Sequence, residues 1–179
     1  MILFSDEIKD VMIAITINQR PLFLPEFFEK IYNLNYPKDH VSLHISVQNG
    51  TIYSEIKALM KPWSSEYKKI ILLPSENPAK AKQEAIHYAK NLHDEYILFM
   101  SDVAHLEEPD TLKALISQNK EVVAPFLMTY EKFSYARRIC NLGPRLHNND
   151  SHSFPSLVTQ KGLREENYDL ILVRYSMII

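Results

Sequence analysis

A single cysteine, Cys140, stands in 179 residues, so no internal disulfide can form and no cysteine-based zinc site can be assembled. Charge of one sign is also missing. Twenty Lys and Arg face 22 Asp and Glu, a net charge of -2, which removes the basic excess that nucleic acid or an anionic membrane surface would require of a partner. No apolar run is long enough to span a bilayer, so no membrane span is expected. The opening MILFSDEIKD has an apolar start but acidic residues within ten positions and no long apolar core, so no signal peptide is visible. The expectation from that end is a cytosolic protein or an incomplete chain. Two glycosylation acceptor triplets, Asn49-Gly50-Thr51 and Asn149-Asp150-Ser151, gain meaning only if the chain reaches a secretory lumen.

What is present is a hydrophobic content of 46% with 23% charged residues, ordinary for a globular domain with a real core. Val11 to Ile17 is a β-branched run of the length of a strand covered on both faces. Pro25 suits a first helical turn, and Leu24, Phe27, Phe28, Ile31 and Leu34 recur at three and four until Asn35-Tyr36-Pro37 stops the helix. Val41 to Val47 alternates apolar and polar, which predicts a second strand with His44 half exposed on its polar side. A helix over Ile52 to Met60, Trp63 as a packing anchor and a strand over Lys68 to Leu73 follow. Asn77-Pro78 forms a cap and first-turn pair for a helix reaching Leu92, with small Ala81, Ala85 and Ala89 on one face. Glu95 to Met100 is the fourth strand. A short helix over Thr111 to Gln118 leads to a fifth strand over Glu121 to Met128, where Pro125 suits an edge or a bulge.

This alternation implies a doubly wound, mainly parallel, right-handed α/β sheet. Residues 1–128 form its core and 129–179 a loop-rich tail of the same, truncated domain, with one late strand from about Leu170. The fourth strand matters most. Its apolar run stops at Ser101-Asp102, beside His105, Glu107 and Glu108, and a buried strand that delivers an acidic residue to its carboxyl end is a common ligand site in open sheets.

The blocks FLPEFFEKIYNLNYPKDHVSLHISVQN, SEYKKIILL and EYILFMSDVAHLEEPDTLKALISQNKEVVAPFLMT resemble the glycosyltransferase-like, accessory segment of the procollagen lysyl hydroxylases. AKQEAIHYAKNLHDEYILF is similar to the N-terminal half of the procollagen galactosyltransferases. The likeness runs from about residue 11 to 129, and the family's Ser-Asn-Phe-Trp-Gly signature has no clear counterpart beyond it, Cys140-Asn141-Leu142-Gly143 being at best a remnant. It implies a glycosyltransferase-A-like fold, in which an Asp-x-Asp pair at the end of a central strand holds a divalent cation against a nucleotide-sugar diphosphate. In register, those two aspartates fall on Ser101 and Val103, with Asp102 one residue out of phase between them. Lys82 falls where the relatives carry Arg or Lys, so the resemblance makes it a donor-phosphate contact; a solvated helix lysine is the plainer explanation.

Three functions follow as expectations. The first is a catalytically degenerate module of a collagen lysine-modifying protein in the endoplasmic reticulum lumen, partnered by collagen or procollagen peptides and other domains of a parent protein. The alternative is an active transferase using Mn2+ and a UDP-sugar, with Asp102 and Glu107 as substitute metal ligands; Glu107 and Glu108 also precede a helix, where acidic side chains complement the dipole. A third is iron/2-oxoglutarate dioxygenase chemistry, for which His105-Leu106-Glu107 with His152, or His93-Asp94-Glu95, supply the letters but not the β jelly-roll context. That activity belongs to a domain outside this chain. A serine or cysteine nucleophile is not indicated: Arg137 and Arg138 could lower the pKa of Cys140, but a lone cysteine in an irregular segment is more often merely present.

Overall fold

The computed structural model describes residues 8–18, 24–48, 50–75, 77–102, 104, 106, 108–125, 139–141 and 170–174. A seven-stranded mixed sheet organises them in the order β3-β2-β1-β4-β7-β5-β6. β1 (Val11–Ile17) pairs in parallel with β2 (Val41–Val47) on one side and β4 (Tyr96–Ser101) on the other, and β3 (Lys69–Pro74) continues beyond β2. β7 (Leu170–Arg174) enters antiparallel between β4 and β5 (Val122–Pro125), and β6 (Ile139–Asn141) closes the far edge against β5.

Strand alternation sends Val11, Ile13, Ile15 and Ile17 to one face, together with Leu43, Ile45, Leu98 and Met100. α1 (Leu24–Tyr32) and α2 (Gly50–Met60) cover that face. Nine residues are too few for a helix to persist alone in water. α1 is held by its packing: Leu24, Phe27, Phe28 and Ile31 are all buried, and the two phenylalanine rings meet edge to face at 5.2 Å. Each such ring contributes about 2 kcal/mol of burial. Trp63, past the end of α2, stacks on Tyr32 with centroids 4.8 Å apart, so the anchor predicted for it joins α2 to α1.

The opposite face carries Met12, Ala14, Ile71 and Ile97, and there Ala85 and Ala89 of α3 (Pro78–Leu92) lie against the sheet with Ala81 buried in the same row. Small side chains let the helix backbone approach closely. Its start follows the prediction: the Asn77 side chain accepts from the Ala79 amide at 2.8 Å, with Pro78 in the first turn. His93 ends the helix in the left-handed region at φ 58°. Replacing Asn77 with alanine is expected to cost about 1 kcal/mol in urea unfolding, and serine to restore most of it.

Three expectations are corrected. β2 is not half exposed: all seven residues are buried, because its Ser42, His44 and Ser46 face α3 rather than water. β5 is interior, between β7 and β6, and Pro125 ends it beyond the two residues, Val122 and Val123, that pair with β7. A missing amide is tolerated there. Finally, α4 (Thr111–Ser117) shares the face of α1 and α2, since Leu112 and Leu115 join their core and Asn35 donates to the Pro109 carbonyl at 2.9 Å. The step from β4 to β5 crosses the sheet in the opposite direction from β1 to β2 on that same face, so its hand is opposite to the predicted one.

Candidate functional site

The carboxyl end of β4 is where an open sheet of this kind places ligands. Ser101 closes the strand opposite Thr16 of β1, and both are half buried. Asp102 has already left the strand for a turn, so the strict alternation that would aim it at the opposite face no longer applies. Its carboxylate reaches sideways to β1, where Oδ2 accepts from the Asn18 amide at 3.0 Å. On the other side of β1, the Gln48 amide donates to the Ile17 carbonyl at 2.9 Å. The ends of β2, β1 and β4 are thus laced together, and Asp102 is one of the laces. Asn18 is exposed and water can replace the carboxylate, so Asp102→Ala is expected to cost about 1 kcal/mol by denaturant unfolding.

The other predicted site residues are not brought into that cluster. Lys82 stands exposed in the second turn of α3, beside buried Ala81. Glu108 is exposed just ahead of α4. Val103, His105, Glu107, Arg137, Arg138 and His152 lie outside the described residues, and of Cys140 only its place in β6 is described. The His93-Asp94-Glu95 triplet is pulled apart: His93 is exposed at the end of α3, Asp94 is buried and Glu95 pairs with Lys9 at 3.2 Å.

Among the described residues no three His, Cys, Asp or Glu side chains lie together as a metal-holding group. A hard divalent cation takes six or more oxygens, commonly from more than one carboxylate. At the end of β4 the described residues offer one carboxylate, with an oxygen committed to an amide, and a serine hydroxyl. The described part of that set falls short of the shell a divalent cation takes.

A second polar cluster, at the opposite end of the sheet, has no counterpart in the sequence analysis. Lys68, just before β3, donates to Asp10 Oδ2 at 2.8 Å, Asp94 Oδ1 at 2.9 Å and the Leu92 carbonyl at 2.8 Å. His40 Nδ1 lies 2.6 Å from the other Asp10 oxygen, and Ser42 donates to Asp94 Oδ1 at 3.3 Å. Asp94 is only 1% exposed and its Oδ2 has no partner. Burial pushes its carboxyl above the usual range, more than Lys68 and Ser42 pull it down. Burial also works to raise Asp10, but hydrogen bonds and charge from Lys68 and His40 outweigh it and hold that carboxyl low. For Lys68 burial works downward and the two carboxylates win, holding the ammonium above its ordinary value. This cluster braces the amino ends of β1, β3 and β4 against the end of α3, away from the ligand end of the sheet.

His44 is a buried group that the alternation of β2 misplaces. It is 1% exposed, rests on the Tyr88 ring at 5.6 Å between centroids, and its Nε2 has no partner. Burial lowers its pKa to about 4, against a hydrogen bond to its own backbone that acts the other way.

Residues 74–161 match the model of the glycosyltransferase family 25 N-terminal domain. Human procollagen-lysine,2-oxoglutarate 5-dioxygenase 2 is 33% identical over 130 residues, covering 69% of this chain and 17% of that protein. Procollagen galactosyltransferase 1-A of Xenopus laevis is 26% identical over 148 residues, covering 69% of this chain and 24% of the relative. The chain therefore spans less than a quarter of the length of these curated relatives. Among solved structures, the mannosyltransferase PcManGT from Pyrobaculum calidifontis, in complex with GDP-Man and Mn2+, superimposes with a TM-score of 0.53 at 16% identity, over 60% of this chain and 31% of that one.

Proposed function

From a chain that is a glycosyltransferase-like domain, of glycosyltransferase-A-like fold, related to the procollagen lysyl hydroxylases and procollagen galactosyltransferases, we propose a catalytically degenerate module that serves a collagen lysine-modifying protein as an accessory or docking unit. The observation that carries this reading is Asp102. Where the resemblance calls for two carboxylates the chain has Ser101 and Val103, and the aspartate between them is tied to the Asn18 amide. Its collagen or procollagen partners and a place in the endoplasmic reticulum lumen are part of the proposal, supported by the collagen-modifying relatives. No helix among the described residues is long and apolar enough to cross a membrane.

The second reading, a working transferase that takes a UDP-sugar and Mn2+ to hydroxylysine, draws on Asp102 lying at the ligand end of the sheet and on the galactosyltransferases among the relatives. It needs Asp102 and Glu107 to replace the missing pair. The purified chain, incubated with manganese(II), UDP-galactose or UDP-glucose and a hydroxylysine peptide, is expected to release no UDP above the rate without protein. Protein-dependent UDP release that vanishes in Asp102→Asn would overturn the degenerate reading in favour of the active one.

A further inference from the structure

Away from Asp102, at the amino end of the sheet, three side chains from the ends of α1 and α2 meet at the surface. Tyr32 is the last residue of α1, and Trp63 closes the turn Lys61–Trp63 that follows α2. Their rings stack at 4.8 Å with 24° between the planes, and both are half-buried. The Tyr32 hydroxyl is engaged by Glu66, with Oε2 at 2.9 Å and Oε1 at 3.2 Å, and the Glu66 amide donates to the Trp63 carbonyl at 3.0 Å. Glu66 is exposed, and among the described residues no cationic side chain forms an ion pair with it.

A packing joint between two helices needs the rings but not a carboxylate held at their rim. Fixing an exposed glutamate removes rotamer freedom, and here the phenol does so without neutralising the charge. The rings themselves accept cations, since Lys38 sets its ammonium over Tyr32 at 4.3 Å from the ring centre. We infer that Trp63, Tyr32 and Glu66 form a docking surface for a lysine side chain of an extended partner peptide, the ammonium pairing with Glu66 and the aliphatic stem lying on the indole. Charge complementarity selects the occupant: the carboxylate calls for a cation, and lysine joins an ammonium to an apolar stem that an aromatic face covers. The inference rests on the docking reading above and adds where on the chain the peptide is held.

Trp63 is the only tryptophan of the chain, so its fluorescence reads this surface alone. The test titrates a single-stranded peptide of Gly-Pro-Lys repeats into the purified chain, with Gly-Pro-Glu repeats as control and calorimetry on the same samples. The lysine peptide is expected to shift the Trp63 emission saturably and the glutamate peptide to leave it unmoved. Glu66→Gln keeps an acceptor for Tyr32 and is expected to weaken the lysine peptide about fivefold, the loss of one exposed ion pair. Tyr32→Phe keeps the ring stack, releases the carboxylate and is expected to weaken it less. Saturable heat with no change at Trp63, an affinity that Glu66→Gln leaves intact, or an equal response to the glutamate peptide would overturn this surface and leave the docking reading in place. Neither heat nor emission change would overturn the surface and count against docking as well.

Discussion

Lys68→Met is expected to lower the unfolding free energy at neutral pH by about 3–5 kcal/mol, the range for removing one partner of a buried ion pair. The size comes from what is left behind. Asp94 is buried, one of its oxygens already has no partner, and the ammonium on the other also reaches Asp10 and the last turn of α3. Without it two carboxylates face each other near the amino ends of β1 and β4. The contact cannot be valued by its distance alone, because desolvating Asp94 offsets much of what the pair contributes. A double-mutant cycle separates the two. Lys68→Met with Asp94→Asn is expected to lose clearly less than Lys68→Met alone, since a neutral amide tolerates burial better than an unpaired carboxylate. Acid should act in the same direction: Asp94 takes up a proton above the ordinary carboxylate range, so the deficit of Lys68→Met should shrink as pH falls. Urea unfolding of the four proteins at neutral and acid pH measures this. A Lys68→Met deficit below about 1 kcal/mol would mean the cluster is solvated and braces nothing.

His44 gives the second large effect, and its sign is opposite to that of a histidine with a carboxylate partner. In the folded chain it titrates at about 4, against 6.5 when unfolded. Between those values the unfolded state binds the proton and the folded state does not, so stability rises with pH there. The contribution is complete above pH 6.5 and is lost as pH falls toward 4, about 3 kcal/mol in all at 1.36 kcal/mol per unit. Asp94 opposes it, since a carboxyl raised in the folded state favours folding as pH falls. His44 must therefore be isolated by substitution. His44→Phe keeps a ring against Tyr88 and removes the unpartnered Nε2. The stability gap between the two proteins should move in favour of the phenylalanine by about 3 kcal/mol between pH 7 and pH 4. Parallel curves would show that His44 is solvated in the native state.

These groups mark where the sequence stops being legible. Periodicity exposed the helix stripes, because Phe27, Phe28 and Ile31 lie within one or two turns of each other, and the Asn77-Pro78 cap is wholly local. The alternation of β2 was equally plain but ambiguous. Ser42, His44 and Ser46 look like a wet face, and only the position of α3 makes that face dry. Lys68 reaches Asp10 across 58 positions and Asp94 across 26, and Asp102 meets Asn18 across 84. No local pattern encodes such pairs. β7 could be read as a strand from its apolar run, yet its antiparallel entry between β4 and β5 depends on the whole sheet. β6 is three residues inside a polar stretch and gives no periodic signal. At the candidate site the order of Ser101, Asp102 and Val103 could be set against the Asp-x-Asp pattern that the resemblance implies, while the tether from Asp102 to Asn18 spans 84 positions and follows from no local pattern.

Titration calorimetry with UDP and manganese(II), on the purified chain and on Asp102→Asn, tests the degenerate reading most directly. A chain whose Asp102 secures strand ends instead of holding a cation should give no saturable heat with the nucleotide and metal together. The asparagine variant should give the same flat trace. Saturable, manganese-dependent binding of UDP that Asp102→Asn abolishes would contradict the account and make Asp102 a metal ligand.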